Sequence, residues 1–313
     1  MAFATLASLL KDDQFMWLKI SLIFFSFFAS FAGINGQTEF DNGQNKPWQN
    51  KSRALVLDGR YYNFSSINWK ELKKDKRVAG IILRSTGAHK DEKTGKWSVI
   101  ADSQYPGLRK LGRENGYLWG SYHVGAAENI MSAVDQADLY VNNIDRDEDE
   151  VIALDLENIW LPHYMNLDGA KKFIERVFER TGRYPLVYVT AAIHAAAIQQ
   201  EGQDINSVFA KTPLWIVRPE DNIEGCLKKA TRWWNTYVLW QIASEVNCKK
   251  TAETYCELPR KRKTVCPYKQ LNGLARFAPE TGVKIDMDVD IYNGTVEQLR
   301  EAWPFTFKVK KPQ

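Results

Sequence analysis

The chain has 313 residues, 44% hydrophobic and 26% charged, with 42 Lys and Arg against 38 Asp and Glu for a net charge of +4. That composition suits a globular protein of one large α/β domain and excludes a disordered, fibrous or repeat architecture. The positive excess is small and scattered, which excludes a nucleic-acid-binding surface; the one basic knot, PRKRKTVCPYK at 259–269, reads as a solvated loop.

Taken in chain order, the first feature is a targeting segment. Lys19, an apolar run from Ile20 to Phe28 and small residues at Ser30 and Ala32 have the shape of a secretory signal over residues 1–32, cleaved after Ala32. The run is short for a membrane span, so no stable span is expected after cleavage, with an uncleaved anchor as the alternative. Asp12 and Asp13 are out of place before such a run, and Met16 is the more natural start. Residues 33–52 are polar and turn-rich, a linker. Export would expose Cys226, Cys248, Cys256 and Cys266 to an oxidising compartment, where two disulfides could form by any of three connectivities. No CxxC or HxxxH spacing supports zinc, and no metal or cofactor is expected.

From residue 53 an alternation of strands and helices begins. ALVLD (54–58) is a short buried strand, and INWKELKKD follows as a helix candidate. VAGIILR (78–84) and YLWGSYHV (117–124) are strands separated by a helix. Ala133, Ala137, Tyr140, Val141 and Ile144 recur at helical spacing, and VIALDLE (151–157) is the fourth strand. Ala170, Phe173, Ile174, Val177 and Phe178 form one helix face, stopped by Thr181 and Gly182. PLVYVT (185–190), PLWIVR (213–218), YVLWQIA (237–243) and KIDMDVDIY (284–292) complete the strands. Buried strands between amphipathic helices imply a parallel sheet covered on both faces. Five strand–helix units followed by three strands suggest closure into a barrel. No Gly-rich phosphate loop follows any strand, which counts against an open doubly wound sheet.

Carboxylates sit where such strands end. Asp155 and Glu157, two apart, point to the same side of a strand, toward the barrel mouth where active sites lie. Asp58 ends the first strand, and Asp286, Asp288 and Asp290 ride on the last, its neighbour in a closed barrel. A divalent-metal site competes for this pattern. Aromatic residues on or beside the strands (Tyr61, Tyr62, Trp119, Tyr122, Tyr188, Trp215 and Trp240) favour sugar, since aromatic faces stack on sugar rings.

These motifs, in this order, resemble the family 25 glycoside hydrolases, the Chalaropsis-type lysozymes. LDGRYYNFSSINW is similar to that family's opening strand and turn, IILRSTG to its I-I-K-A-T-E-G, GSYHV to G-x-Y-H-F and ALDLE to L-D-x-E. PLWIVR resembles P-L-W-I-A-x, LWQIAS resembles L-W-Q-Y-S, and VDIYNGT sits where V-D-x-N-x-F-N-G-T is expected. The resemblance implies a modified TIM-like barrel, five β/α units followed by three strands, over residues 53–305. A Cys-containing insertion at about 247–275 and a basic tail at 306–313 complete the domain plan. It implies a monomer acting on peptidoglycan glycan strands in the periplasm, cell envelope or medium. There it would cut the β-1,4 bond from N-acetylmuramic acid to N-acetylglucosamine. The acid catalyst falls on Glu157, its partner on Asp155, and further carboxylates on Asp58 and Asp288, with Asp290 at a usual Asn position. Arg84, Tyr122, Tyr188, Trp215, Trp240 and Gln241 would line the cleft. Arg84 stands where the family commonly has Lys, and Gly87 where it has Glu. At least one disulfide is expected to tie the insertion down, with Cys226 as a candidate partner. A non-catalytic carbohydrate-binding protein and a metal-dependent hydrolase are the rival functions.

Overall fold

The strands are short because each is an apolar run that must be buried on two sides and then stop. The computed structural model describes residues 50, 52–60, 67–145, 149–202, 204, 206–217, 234, 236–243 and 288–305. Nine strands fall within them: β1 (Leu55–Gly59), β2 (Val78–Lys90), β3 (Trp97–Ala101), β4 (Leu118–Val124), β5 (Val151–Asp155), β6 (Leu186–Thr190), β7 (Leu214–Val217), β8 (Leu239–Ala243) and β9 (Asp288–Tyr292). β1, β2, β4, β5, β6, β7 and β8 pair parallel in that order around a ring. β9 runs antiparallel between β8 and β1 and closes it. The expected eight-stranded barrel is therefore present, with β3 as a ninth strand lying outside the ring. β3 pairs antiparallel with the far half of β2, which runs 13 residues rather than seven and projects beyond the mouth.

Strand parity divides the core in two. Leu55, Leu57, Ile81, Leu83, Ile152 and Leu154 point outward against the helices, while Val56, Ile82, Ala153, Tyr122, Tyr188 and Trp215 point into the barrel. The helices are α1 (Trp69–Leu72), α2 (Tyr105–Glu114), α3 (Ala133–Asn143), α4 (Leu167–Thr181), α5 (Ala191–Glu201) and α6 (Val296–Ala302), with a 3-10 turn at Val208–Lys211. Their ends follow local chemistry. Ser132, Asn166 and Thr190 cap α3, α4 and α5 by accepting backbone N–H bonds, and Gly182 ends α4 at φ 72°. Thr295 and Gln298 form a capping box that turns the chain from β9 into α6. α2 can lie on β4 because Gly112 has no side chain: a Cβ there would fall 2.1 Å from Trp119.

Outside the mouth, two clusters of buried polar groups satisfy one another. Glu150 accepts from Tyr105 Oη and from the Asp145 N–H, and Arg183 donates to the Glu150 carbonyl. His123 sits between Thr86 and Gln136 and stacks on Phe173, and burial pushes its pKa down to about 4, so it is neutral. Although it is on a strand at the mouth, its ring faces the helices. The signal segment, residues 33–49 of the linker, Tyr61, Tyr62, all four cysteines, the basic knot, Asp286 and the basic tail lie outside the described residues. Among the described residues, no helix is long and apolar enough to cross a membrane.

Candidate active site

The mouth of the barrel gathers carboxyl groups from β1, β5 and β9. Because β9 is antiparallel, its first residue, Asp288, lies at the mouth opposite Asp58 at the end of β1. Asp290 is on the same face one step deeper, opposite Gln241 of β8. Tyr188 Oη donates to Gln241 Oε1 (2.9 Å), and Gln241 Nε2 donates to Asp58 Oδ1 (3.0 Å). Trp215 Nε1 donates to Asp290 Oδ1 at 2.6 Å, while Asp290 Oδ2 is buried and receives no N–H or O–H from any described residue. The Asp58 and Asp290 carboxyls meet directly, so a hydrogen bond between them needs a proton on one. Burial, and then the neighbouring Asp290 charge, push Asp58 well above the usual carboxylate range; burial lifts Asp290 to about 8. The alignment by resemblance favours Asp288 as the last-strand carboxylate, but the group that reaches Asp58 is Asp290.

This pair predicts a pH dependence. A carboxyl whose pKa is raised on folding binds its proton more readily in the native state. Its stabilisation is complete below the unfolded value of 3.8 and is lost as pH rises through about 8. Thermal melts across that window should show stability declining with pH in the natural protein and a flatter profile in Asp290→Asn, which cannot ionise there. Parallel profiles would show that the two carboxyls do not share a proton.

Asp155 and Glu157 are arranged differently from a simple strand pair. β5 ends at Asp155, and the chain turns: the Glu157 N–H donates to Asp155 Oδ1 at 3.0 Å, an Asx turn that fixes the second acid relative to the first. The Leu156 N–H donates to the Tyr188 carbonyl on β6, and its side chain is buried outward, so Glu157 is left at the mouth. Both carboxyls are pushed up. Asp155, partly covered, is raised strongly by burial and next by the charge of Glu157. Glu157 is more open to water, yet protein surrounds it on enough sides to raise it too, against the opposing charge of Arg60. Two acids this close titrate together, and the pair retains a proton above the ordinary carboxylate range.

The aromatic residues separate by parity. Tyr122, Tyr188 and Trp215 face inward and pack edge to face, with ring centroids 6.4 Å (Tyr122–Trp215) and 4.7 Å (Tyr188–Trp215) apart. Tyr122 Oη donates to the Gly59 carbonyl at 3.1 Å. These rings are buried floor rather than free faces. Trp240 and Trp119 do not belong to the mouth: they point outward into the helix-side core, against Tyr237 and Tyr105. Trp240 follows from its neighbour, since Gln241 faces in and adjacent strand residues face opposite ways. Arg84 is buried on β2, 3.9 Å from Asp102, with no hydrogen-bond partner for its Nε among the described residues. Gly87 is glycine for a steric reason, at φ 145° with a would-be Cβ 2.5 Å from the Val124 nitrogen.

Two mouth residues escaped the sequence analysis. Arg60, just past β1, acts electrostatically on Asp155, Glu157, Tyr122 and Tyr164. Tyr164 is held there because the 156–165 loop is pinned to the end of β4 by Ala127 N–H to His163 O and Met165 N–H to Gly125 O, both 3.1 Å. Trp97 of β3 stacks on His163 at 4.8 Å and meets Tyr164 edge-on, so the extra hairpin buttresses this loop. Among the described residues, no three His, Cys, Asp or Glu side chains come together so as to hold a metal ion.

A closed α/β barrel with carboxyl groups converging on its mouth above an aromatic floor defines a glycosidase barrel. Residues 61–251 match the model of the glycosyl hydrolases family 25. The chain belongs to that family and is a glycosidase. Among solved structures it is similar to the bacterial lysozyme from Streptomyces coelicolor (TM-score 0.53, 18% identity, 81% of this chain and 98% of that one). It is also similar to the muramidase from Acremonium alcalophilum (0.52, 16%, 79% and 97%) and to a family 25 glycosyl hydrolase from Bacillus anthracis (0.51, 13%, 82% and 97%). At these identities the likeness establishes the fold. No curated protein sequence matches the chain.

Proposed function

We propose that the protein is an exported N-acetylmuramidase that cleaves the β-1,4 bond between N-acetylmuramic acid and N-acetylglucosamine in peptidoglycan. The observation that carries this reading is the Asp155–Glu157 turn: two carboxyls that together retain a proton, fixed at the end of β5, with the outer one open to substrate. Glu157 donates its proton to the glycosidic oxygen as the bond to the anomeric carbon breaks. The sugar's own 2-acetamido oxygen closes on that carbon, and Asp155, the member of the pair that is ionised while Glu157 holds the proton, accepts a hydrogen bond from the acetamido N–H and balances the positive charge. Water then opens the ring so formed, giving its proton to the Glu157 carboxylate. The Tyr188–Gln241–Asp58–Asp290 chain holds the floor beneath, and Arg60 and Tyr164 flank the acid. The family membership supports the substrate class, and the apolar run from Ile20 to Phe28 supports export.

One experiment tests the substrate, the chemistry and the compartment together. Protein recovered from the exported fraction, with an N-terminus expected near Gly33, is incubated with purified peptidoglycan with and without a chelator. New muramic-acid reducing ends, unaffected by chelator, are expected. Binding without new ends favours a carbohydrate-binding protein, and chelator-sensitive release of other ends favours a metal-dependent hydrolase.

A further inference from the structure

Beside the mouth, on the outer side of the 156–166 loop, a cleft of about 400 Å³ lies between this loop, the start of α4 and the far end of α5. Its volume falls in the range of small-molecule sites, about 300–1,000 Å³. Its wall includes Trp160, 63% exposed, the most exposed large apolar side chain among the described residues. The rest of the lining is uncharged: Leu167 and Ala196 below, and the side-chain amides of Asn166, Gln199 and Gln200 around the rim. Asn166 uses its oxygen to cap α4, which leaves its NH2 as a donor; Gln200 uses its NH2 on Asp168, which leaves its oxygen as an acceptor. Gln199 is exposed and offers both.

We propose that this cleft is an accessory glycan-binding site, where Trp160 stacks on an N-acetylated pyranose and the amides bond its acetamido and hydroxyl groups. The proposal rests on the muramidase reading and names where the same glycan strand runs beyond the cleaved bond. Trp160 is three positions after Glu157, so the cleft wall begins within roughly 11 Å of the acid, about two sugar rings along a strand. The absence of charge in the lining selects the glycan over the stem peptides, whose carboxylates and amines would find no opposite charge there. Trp160 presents most of its indole to solvent at the cleft wall, and a sugar's apolar ring face is a partner that such a surface can cover.

The test uses full-length Glu157→Gln, which binds without cutting, and peptidoglycan glycan strands stripped of stem peptides. Adding Trp160→Ala is expected to weaken binding about tenfold, the size of truncating an aromatic anchor, and Gln199→Ala to weaken it less. Both side chains are exposed, and circular dichroism confirms the fold. Unchanged affinity in both variants overturns the proposal while leaving the hydrolytic reading to its own assay of the natural protein. A loss seen only with strands that carry stem peptides overturns the glycan assignment in favour of peptide recognition.

Discussion

Glu157→Gln is expected to lower turnover on purified peptidoglycan by about 10²–10⁴-fold, the usual contribution of a positioned general acid. The amide keeps the shape and removes the proton. Because the turn at the end of β5 is held by the Glu157 backbone N–H on Asp155 Oδ1, it should survive the change. Circular dichroism should therefore match the natural protein. Ser103→Ala, an exposed turn position ahead of α2, serves as the neutral control and should leave turnover unchanged. A folded Glu157→Gln protein with near-natural turnover would remove the acid from the mechanism.

Asp155→Asn should slow the reaction by about 10²–10³-fold, comparable to removing one electrostatic group aimed at developing charge. Asn keeps an oxygen that accepts the Glu157 N–H, so the Asx turn remains and only the charge is lost. Asp155→Ala loses both, and should be slower still. The pH profile distinguishes the two roles. With Asn at 155 the second ionisable carboxyl of the coupled pair is gone, and the acid limb of the activity profile should simplify to a single ionisation. Equal turnover for the Asn and Ala variants would mean that the turn contributes nothing.

The barrel was legible because each strand is an apolar run bounded by helix-period segments, and period is a local property. The helix stop at Gly182 was local too. The site was legible as a set of strand ends, but its geometry was not. Glu157 was placed on the Asp155 face by strand spacing, whereas a side-chain hydrogen bond takes it off the strand into a turn. Trp240 was placed in the cleft by its residue type, when parity with Gln241 already excluded it. That Asp290, as well as Asp288 opposite it, reaches Asp58 follows from depth along an antiparallel strand, and direction is not written in nine residues of sequence. β3 was missed because WSVIA is half-exposed throughout and gives neither a buried run nor a clean alternation. Arg60 and Tyr164 became visible only once loops from distant parts of the chain met.

Closure by β9 also sets an order of events for the nascent chain. Asp58 and Asp288 are partners across a pairing about 230 residues apart, so β1 acquires its second neighbour only when almost the whole domain has left the ribosome. Until then β1 and β8 both present bare backbone edges, the surfaces most prone to pairing with another chain. The last strand to arrive is also the one that brings Asp288 and Asp290. Covering the open edges and completing the acid cluster are therefore a single step, and a chain interrupted before β9 would be adhesive and inert at once.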